Sequence, residues 1–345
     1  MAAMASLPAS TNMPAGARGR VELDDFDAVA SVNTVFTERY TQIGRGRPTV
    51  RAALATTPRM QVVSVYRSPG VRIQGASTPS TSFLVIPIDS PALHIQGVAC
   101  GPGALAHLPP AHEYEIMSAA PHRALAVAVD PARLDEVARA RWGFPMPKDR
   151  SGPCFQAKDP AAARRAARTW GRWLVAGLHD PNILLDPVAS RRMEEEVLGA
   201  FLDAIDPGPG HRAVTPRREL ARRAEVFIRE SLREPTRIDD ICSAVQASTR
   251  ALHNAFKQVY GIPPKTYQKA LRLAAVRQEL LSGRDGTTVS ATAVKWGFFQ
   301  FGYFAMDYRR MFGEGPRETL RRGRAGERTR PVTVPETLVR ESRVR

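Results

Sequence analysis

The sequence predicts an α+β chain: a β-rich N-terminal region followed by helices, then an all-α C-terminal region built from a repeated pair of short helices. Three observations carry this. Short apolar runs broken by Gly, Pro and Ser fill residues 26–129; helical periodicity takes over near Pro131 and is clear from Pro160 to Ile205; and beyond Ile238 one two-helix pattern occurs twice.

Taken in order, residues 1–20 are small and polar, with no apolar core of a secretory signal, and read as a disordered leader. The runs Gln61–Tyr66, Ser82–Ile88, His94–Val98, Ala104–Leu108 and Ala124–Val129 have the length and breakers of strands in a small sandwich or barrel. Asp159-Pro160 offers an N-cap followed by proline at the first helical position. Trp170, Trp173, Leu174 and Leu178 then share one face, and a second helix from about Asp186 to Ile205 carries Met193, Val197 and Phe201. These faces suit either an intradomain core or an interface. Residues 206–217 open with Asp-Pro-Gly-Pro-Gly and read as a linker, and residues 323–345 as a disordered basic tail. The N-terminal unit is thus expected at 21–205 and the helical unit at 218–322.

With 345 residues the chain is long enough for two domains, and its 43% hydrophobic and 24% charged content is that of a globular protein. The net charge of +15 points to a polyanionic partner or to a generally Arg-rich composition. Its placement favours the former: residues 218–345 hold 25 of the 49 Lys/Arg but 14 of the 34 Asp/Glu. The three cysteines, Cys100, Cys154 and Cys242, are odd in number and far apart; they suggest neither a disulfide framework nor a zinc site, and fit a reducing, cytoplasmic setting. No run is long enough to span a membrane.

The C-terminal repeat carries the chemistry. Asp239, Asp240, Ile241 and Ala244 open a short helix that Gln246-Ala247-Ser248 interrupts. Ser248 is a suitable N-cap for a second helix, Thr249 to Tyr260, with Leu252, Phe256 and Val259 inward and Arg250, His253, Asn254 and Lys257 outward. Two short helices joined by a tight turn match the architecture that lays its second helix in the DNA major groove. The layout returns with Val289, Ala293 and Val294 ahead of Trp296-Gly297-Phe298, then a helix from Phe301 to Phe312 burying Phe304, Tyr308 and Phe312. A long helix, Pro264 to Leu281, joins the units, and Gly261 and Gly313 stand at the C′ positions of the two reading helices.

The stretches 248–264 (STRALHNAFKQVYGIPP), 296–304 (WGFFQFGYF) and 307–322 (DYRRMFGEGPRETLRR) resemble the paired helix–turn–helix domain of the AraC/XylS family, most closely its XylS-like branch. The resemblance covers residues 218–322. It implies a sequence-specific, bacterial transcription regulator, most simply a ligand-responsive activator, with an operator DNA, a small-molecule effector and RNA polymerase as partners and no cofactor. It assigns base reading to Arg250, His253, Asn254, Gln300, Phe301 and Tyr303, with Met306 nearby. Ser248, Lys257, Lys295, Arg309 and Arg310 fall to phosphates. Arg250 suits guanine and Asn254 adenine, although both could also sit on a plain solvated face; Phe301 and Tyr303 suit either a thymine methyl or the helical core. The chain departs from the family at Gln246, where many members carry glycine, and at Gly302, where many carry serine.

By the same resemblance residues 21–205 form a cupin-like β-barrel that binds the effector, with helices at 160–205 that dimerise the protein. A catalytic metal cupin would need several histidines and a carboxylate converging on one ion. His94, His107, His112, Glu113 and Glu115 are the available set, without a closely spaced His-x-His pair, so no metal and no catalytic residue is assigned. His107 and His112 are kept as effector contacts. The competing readings are a cupin-type enzyme fused to a DNA-binding module, a repressor, and an architectural DNA binder.

Overall fold

The computed structural model describes residues 14–26, 28–29, 37–88, 93–101, 103–147, 154–205 and 216–326. Most of the expected leader, linker and tail lies outside them. The N-terminal region contains β1 (Arg18–Leu23), β2 (Thr37–Gln42), β3 (Thr49–Thr56), β4 (Met60–Ser68), β5 (Val71–Ala76), β6 (Ser82–Pro87), β7 (Leu93–Ile95), β8 (Val98–Cys100), β9 (Ala104–Leu108), β10 (Glu113–Ser118) and β11 (His122–Val129). Helix α1 (Pro131–Trp142), strand β12 (Cys154–Gln156) and helices α2 (Pro160–His179), α3 (Asn182–Leu185) and α4 (Pro187–Ala204) complete it.

The strands form two sheets, one of seven in the order β1-β3-β4-β11-β6-β9-β12 and one of five in the order β2-β5-β10-β7-β8. Both sheets are open, which corrects the expected cupin-like barrel: of the sandwich and the barrel that strand spacing allows, the chain takes the sandwich. Around β11 the seven-stranded sheet is buried on both faces. Ala55, Val62, Leu125 and Val127 pack outward against α2 and α4, while Val50, Val65, Val85 and Ala124 pack inward against the second sheet. This accounts for β11, whose run Ala-Leu-Ala-Val-Ala-Val has no polar alternation because neither face meets water. The segment His94–Val98 is not one strand: Gln96 and Gly97, at φ 51° and 69°, turn it into a β7–β8 hairpin.

Asp130, Asp159 and Asp186 cap α1, α2 and α4 through their side chains, each followed by proline. Trp170, Leu174, Met193, Val197 and Phe201 are fully enclosed, and Trp170 Nε1 donates to the Val197 carbonyl at 2.8 Å. The face offered for dimerisation is therefore intradomain core; outward on these helices are Val175, Leu185 and Val188. A buried Arg133–Glu194 ion pair at 2.8 Å ties α1 to α4. The cysteine expectation is also overturned. Cys100 on β8 and Cys154 on β12 are disulfide-bonded, joining an edge of one sheet to an edge of the other. Fifty-four residues separate the two in sequence, so only the sandwich brings them together.

The helical region comprises α5 (Pro216–Glu230), α6 (Ile238–Val245), α7 (Thr249–Tyr260), α8 (Pro264–Leu281), α9 (Val289–Lys295), α10 (Phe301–Phe312) and α11 (Pro316–Arg324). Its core also takes in Ile43 and Met117 from the N-terminal region. Among the described residues no helix is long and apolar enough to cross a membrane.

Between the two sheets lies a cavity of about 170 Å³. Its walls are mostly Val, Leu, Ile, Ala and Phe, with Glu38, Tyr40, Arg67 and His122 as the main polar members. Burial, reinforced by the Arg67 charge, pushes the His122 imidazole down to about 3, so it is neutral in the folded protein. In the unfolded chain a histidine titrates near ~6.5, so below that pH only the unfolded state takes up the proton. The stability contributed by neutral His122 is thus present above ~6.5 and is lost as the pH falls, by about 2 kcal/mol at pH ~5. Unfolding measured at pH 7.5 and 5.0 should show a smaller pH-dependent loss in His122→Asn than in the parent chain; equal losses would contradict a buried neutral ring.

Candidate nucleic-acid interface

The first helix pair is α6 and α7. Asp240 accepts from the Arg237 backbone N–H at 2.6 Å to open α6, and Gln246 closes it in the left-handed conformation at φ 53°. That conformation costs a non-glycine residue roughly 1 kcal/mol, which is why glycine is common here. The turn is nonetheless made, with the Ala247 N–H donating to the Cys242 carbonyl at 3.0 Å. Ser248 caps α7 as its sequence suggests, its hydroxyl accepting from the Ala251 N–H at 3.2 Å. Leu252, Ala255, Phe256, Val259 and Tyr260 are buried, whereas Arg250, His253, Asn254 and Lys257 are all exposed. Gly261 ends the helix at φ 75°.

The second pair, α9 and α10, repeats the design with different surface chemistry. Thr288 caps α9 through its side chain, and Glu279 on α8 receives both the Trp296 indole N–H at 2.9 Å and the Lys295 ammonium at 2.8 Å. Lys295, assigned to phosphate, thus already has a carboxylate partner. Phe304, Tyr308, Met311 and Phe312 are buried on α10. Phe301 and Tyr303 are 48% and 65% exposed, which removes core packing as their role. Gln300, Met306, Arg309 and Arg310 are exposed as well.

Both reading helices are held from behind by the N-terminal sandwich. In the five-stranded sheet Tyr40, Ile73, Leu93, Tyr114 and Ile116 face the inter-sheet core, while their neighbours Arg72, His94, Glu115 and Met117 meet the helical region. Arg72, 2% exposed, donates to Glu115 on β10 at 2.6 Å and to Glu225 on α5 at 2.6 Å; Tyr267 on α8 also donates to Glu225. Burial alone would lower the Arg72 guanidinium, but Tyr267, Glu115 and Glu225 outweigh it and hold it above its usual range. His94 Nε2 donates to the Gln258 carbonyl at 3.0 Å near the C-terminus of α7. Burial lowers this imidazole, which keeps it neutral. At the corresponding end of α10 the Gly46 N–H donates to the Met311 carbonyl at 3.1 Å, joined by the Gln42 amide. Arg277 on α8 pairs with Asp25 at 3.0 Å.

The two effector candidates part company. His107 is buried on β9 and His112 is exposed; with Pro109, Pro110 and Asp135 they line a surface groove, outside the inter-sheet cavity. His94 faces the helical region, so the three histidines do not converge. Sequence reasoning missed the cavity's Arg67 and His122 and the interdomain residues Arg72, Glu225, Asp25 and Arg277. None stands in a local pattern; each acquires its role through partners distant in the chain.

Residues 241–322 match the family model described as a helix-turn-helix domain. The chain is 28% identical over 210 residues to the probable thc operon regulatory protein of Rhodococcus erythropolis, covering 58% of this chain and 62% of that one. It is 34% identical over 97 residues to the XylDLEGF operon transcriptional activator 1 of Pseudomonas putida, covering 28% of this chain and 29% of that one. The chain thus spans under two thirds of the length of either relative. Among solved structures, a probable AraC family transcriptional regulator from Rhodopseudomonas palustris is 37% identical, over 31% of this chain and 98% of that one, with a TM-score of 0.30. On the helix–turn–helix match and the operon-regulator relatives, residues 241–322 form a helix-turn-helix domain of the AraC/XylS type.

Proposed function

We propose that the protein is a ligand-responsive, sequence-specific transcription regulator that activates a catabolic or metabolic operon from the bacterial cytoplasm. The observation that carries this is the pair of capped helices, α7 and α10, each presenting outward the side chains assigned to bases while its C-terminal end is held by the sandwich. In this reading residues 218–322 are the DNA reader, with the two helices in successive major grooves about one helical turn apart, and 21–205 the effector domain. Arg250, His253 and Asn254 read one half-site; Gln300, Phe301 and Tyr303 read the other. Ser248, Lys257, Arg309 and Arg310 meet phosphates, as does Lys295 once it leaves Glu279. The activator relatives favour activation over repression, and RNA polymerase is the partner that activation requires. A homodimer through 160–205 would use the outward Val175, Leu185 and Val188. In a reducing cytoplasm the Cys100–Cys154 bond would form only under oxidising conditions.

The effector site in this reading is the inter-sheet cavity. Its volume suits a molecule near the size of benzene, for which about 150 Å³ suffices. Arg67 Nε is buried there without a hydrogen-bond partner among the described residues. A guanidinium N–H in an apolar cavity suits a small, largely apolar acid. The five-stranded sheet forms one wall of this cavity and also carries Arg72 and His94, so a change in its packing reaches α5 and α7 through a single layer.

Two tests follow. Arg250→Ala should weaken binding to the specific site by about 1–3 kcal/mol and relax one base position, with random DNA little affected; equal loss on both would make Arg250 a phosphate contact. Benzoate should raise the melting temperature of the full chain where benzamide does not, and Arg67→Met should remove the benzoate shift. A shift that survives the substitution would move the effector elsewhere.

A further inference from the structure

The two reading helices differ in surface chemistry more than a shared role requires. Helix α7 presents a cation, an imidazole and an amide in Arg250, His253 and Asn254, a set that reads bases by hydrogen bonds. Around the start of α10 the large apolar side chains that stand exposed are Phe299 at 64%, Phe301 at 48%, Tyr303 at 65% and Met306 at 48%, with the Gln300 amide exposed among them. Exposed apolar side chains grouped in this way suit a binding surface. Its surroundings favour a polyanion, since Arg309 and Arg310 are exposed on the same helix. Gly302 and Met306 stand one turn apart on the face opposite Phe304 and Tyr308. A Cβ at Gly302 would meet no atom within 4 Å, and the residue lacks the left-handed φ that demands glycine. Its bare backbone therefore leaves a gap between Phe301 and Tyr303 through which the helix can approach base edges closely.

We infer that α10 reads its half-site mainly through C5 methyl groups, so that this half of the operator is selected by thymine methyls seated against Phe301, Tyr303 and Met306. The inference rests on the double-reader reading and adds the chemistry of its second half. In the major groove the thymine methyl is the apolar mark that separates A·T from G·C pairs without a hydrogen bond. Gln300 and the Tyr303 hydroxyl can each add a hydrogen bond, but Phe299, Phe301 and Met306 have no conventional N–H or O–H donor to offer a base. The two half-sites are then read by different means, polar at α7 and steric at α10, and the protein has a fixed polarity on its operator.

The test uses the full chain and a duplex selected by it from random DNA. The block whose preference changes in Arg250→Ala belongs to α7, and the other to α10. Replacing each deoxythymidine by deoxyuridine removes only the methyl group. In the α10 block each contacted position should weaken binding about 3- to 6-fold, the worth of one buried methyl. The same change in the α7 block should stay within about 2-fold, while 7-deazaguanine there should weaken binding by removing an acceptor. The triple variant Phe301→Ser/Tyr303→Ser/Met306→Ser, all at exposed positions, should lose the deoxyuridine effect while the α7 block persists. Two-block binding that is indifferent to deoxyuridine would overturn methyl reading and leave the double reader standing. Unchanged affinity and motif in the triple variant would overturn it too, making the patch a protein-binding surface. A motif without two blocks would bring down the double-reader reading and this inference with it.

Discussion

Arg72 sits where the two halves of the molecule meet, and the arrangement of both depends on how its charge is satisfied. It is buried, so it needs carboxylates, and it finds one on its own sheet in Glu115 and one on the helical region in Glu225. Removing one member of such a buried group strands the others, at a cost of about 3–5 kcal/mol, whereas the intact set contributes little over an apolar replacement. What the group supplies is registration. It sets α5 against β5, and with His94 and Gly46 it fixes the backs of α7 and α10, leaving their outward faces free. A polar contact of this kind is also one that a modest change in the sheet can unmake, since its parts are well solvated once apart.

The five-stranded sheet explains why such a contact reaches the cavity. Alternation along β5, β7 and β10 sends Ile73, Leu93 and Ile116 inward and Arg72, His94 and Glu115 toward the helices. One layer of backbone thus separates the cavity from the contacts that hold the reading helices, and no longer relay is needed between them.

What was legible in the sequence was local. Ser248, Gly261, Gly313 and Asp159 announce helix ends because capping is decided within four residues, and each does the expected work. The inward stripes of α7 and α10 were readable for the same reason. The hairpin at Gln96-Gly97 was hidden because a two-residue turn inside an apolar run leaves the composition strand-like. The open sandwich, the Cys100–Cys154 bond and the Arg67–His122 end of the cavity were illegible, because each joins residues whose nearness is a property of topology. Exposure settled what pattern left open: an aromatic at Phe301 or Tyr303 looks like core until the helix is seen to turn it outward.

The most direct test of the account is to select bound sequences from a random DNA pool with the purified full chain. Two short conserved blocks whose centres lie about one helical turn apart, with affinity falling steeply as salt rises, are the expected result. Tight, salt-sensitive binding with no enriched sequence, with and without small apolar acids present, would contradict it and leave an architectural DNA binder in its place.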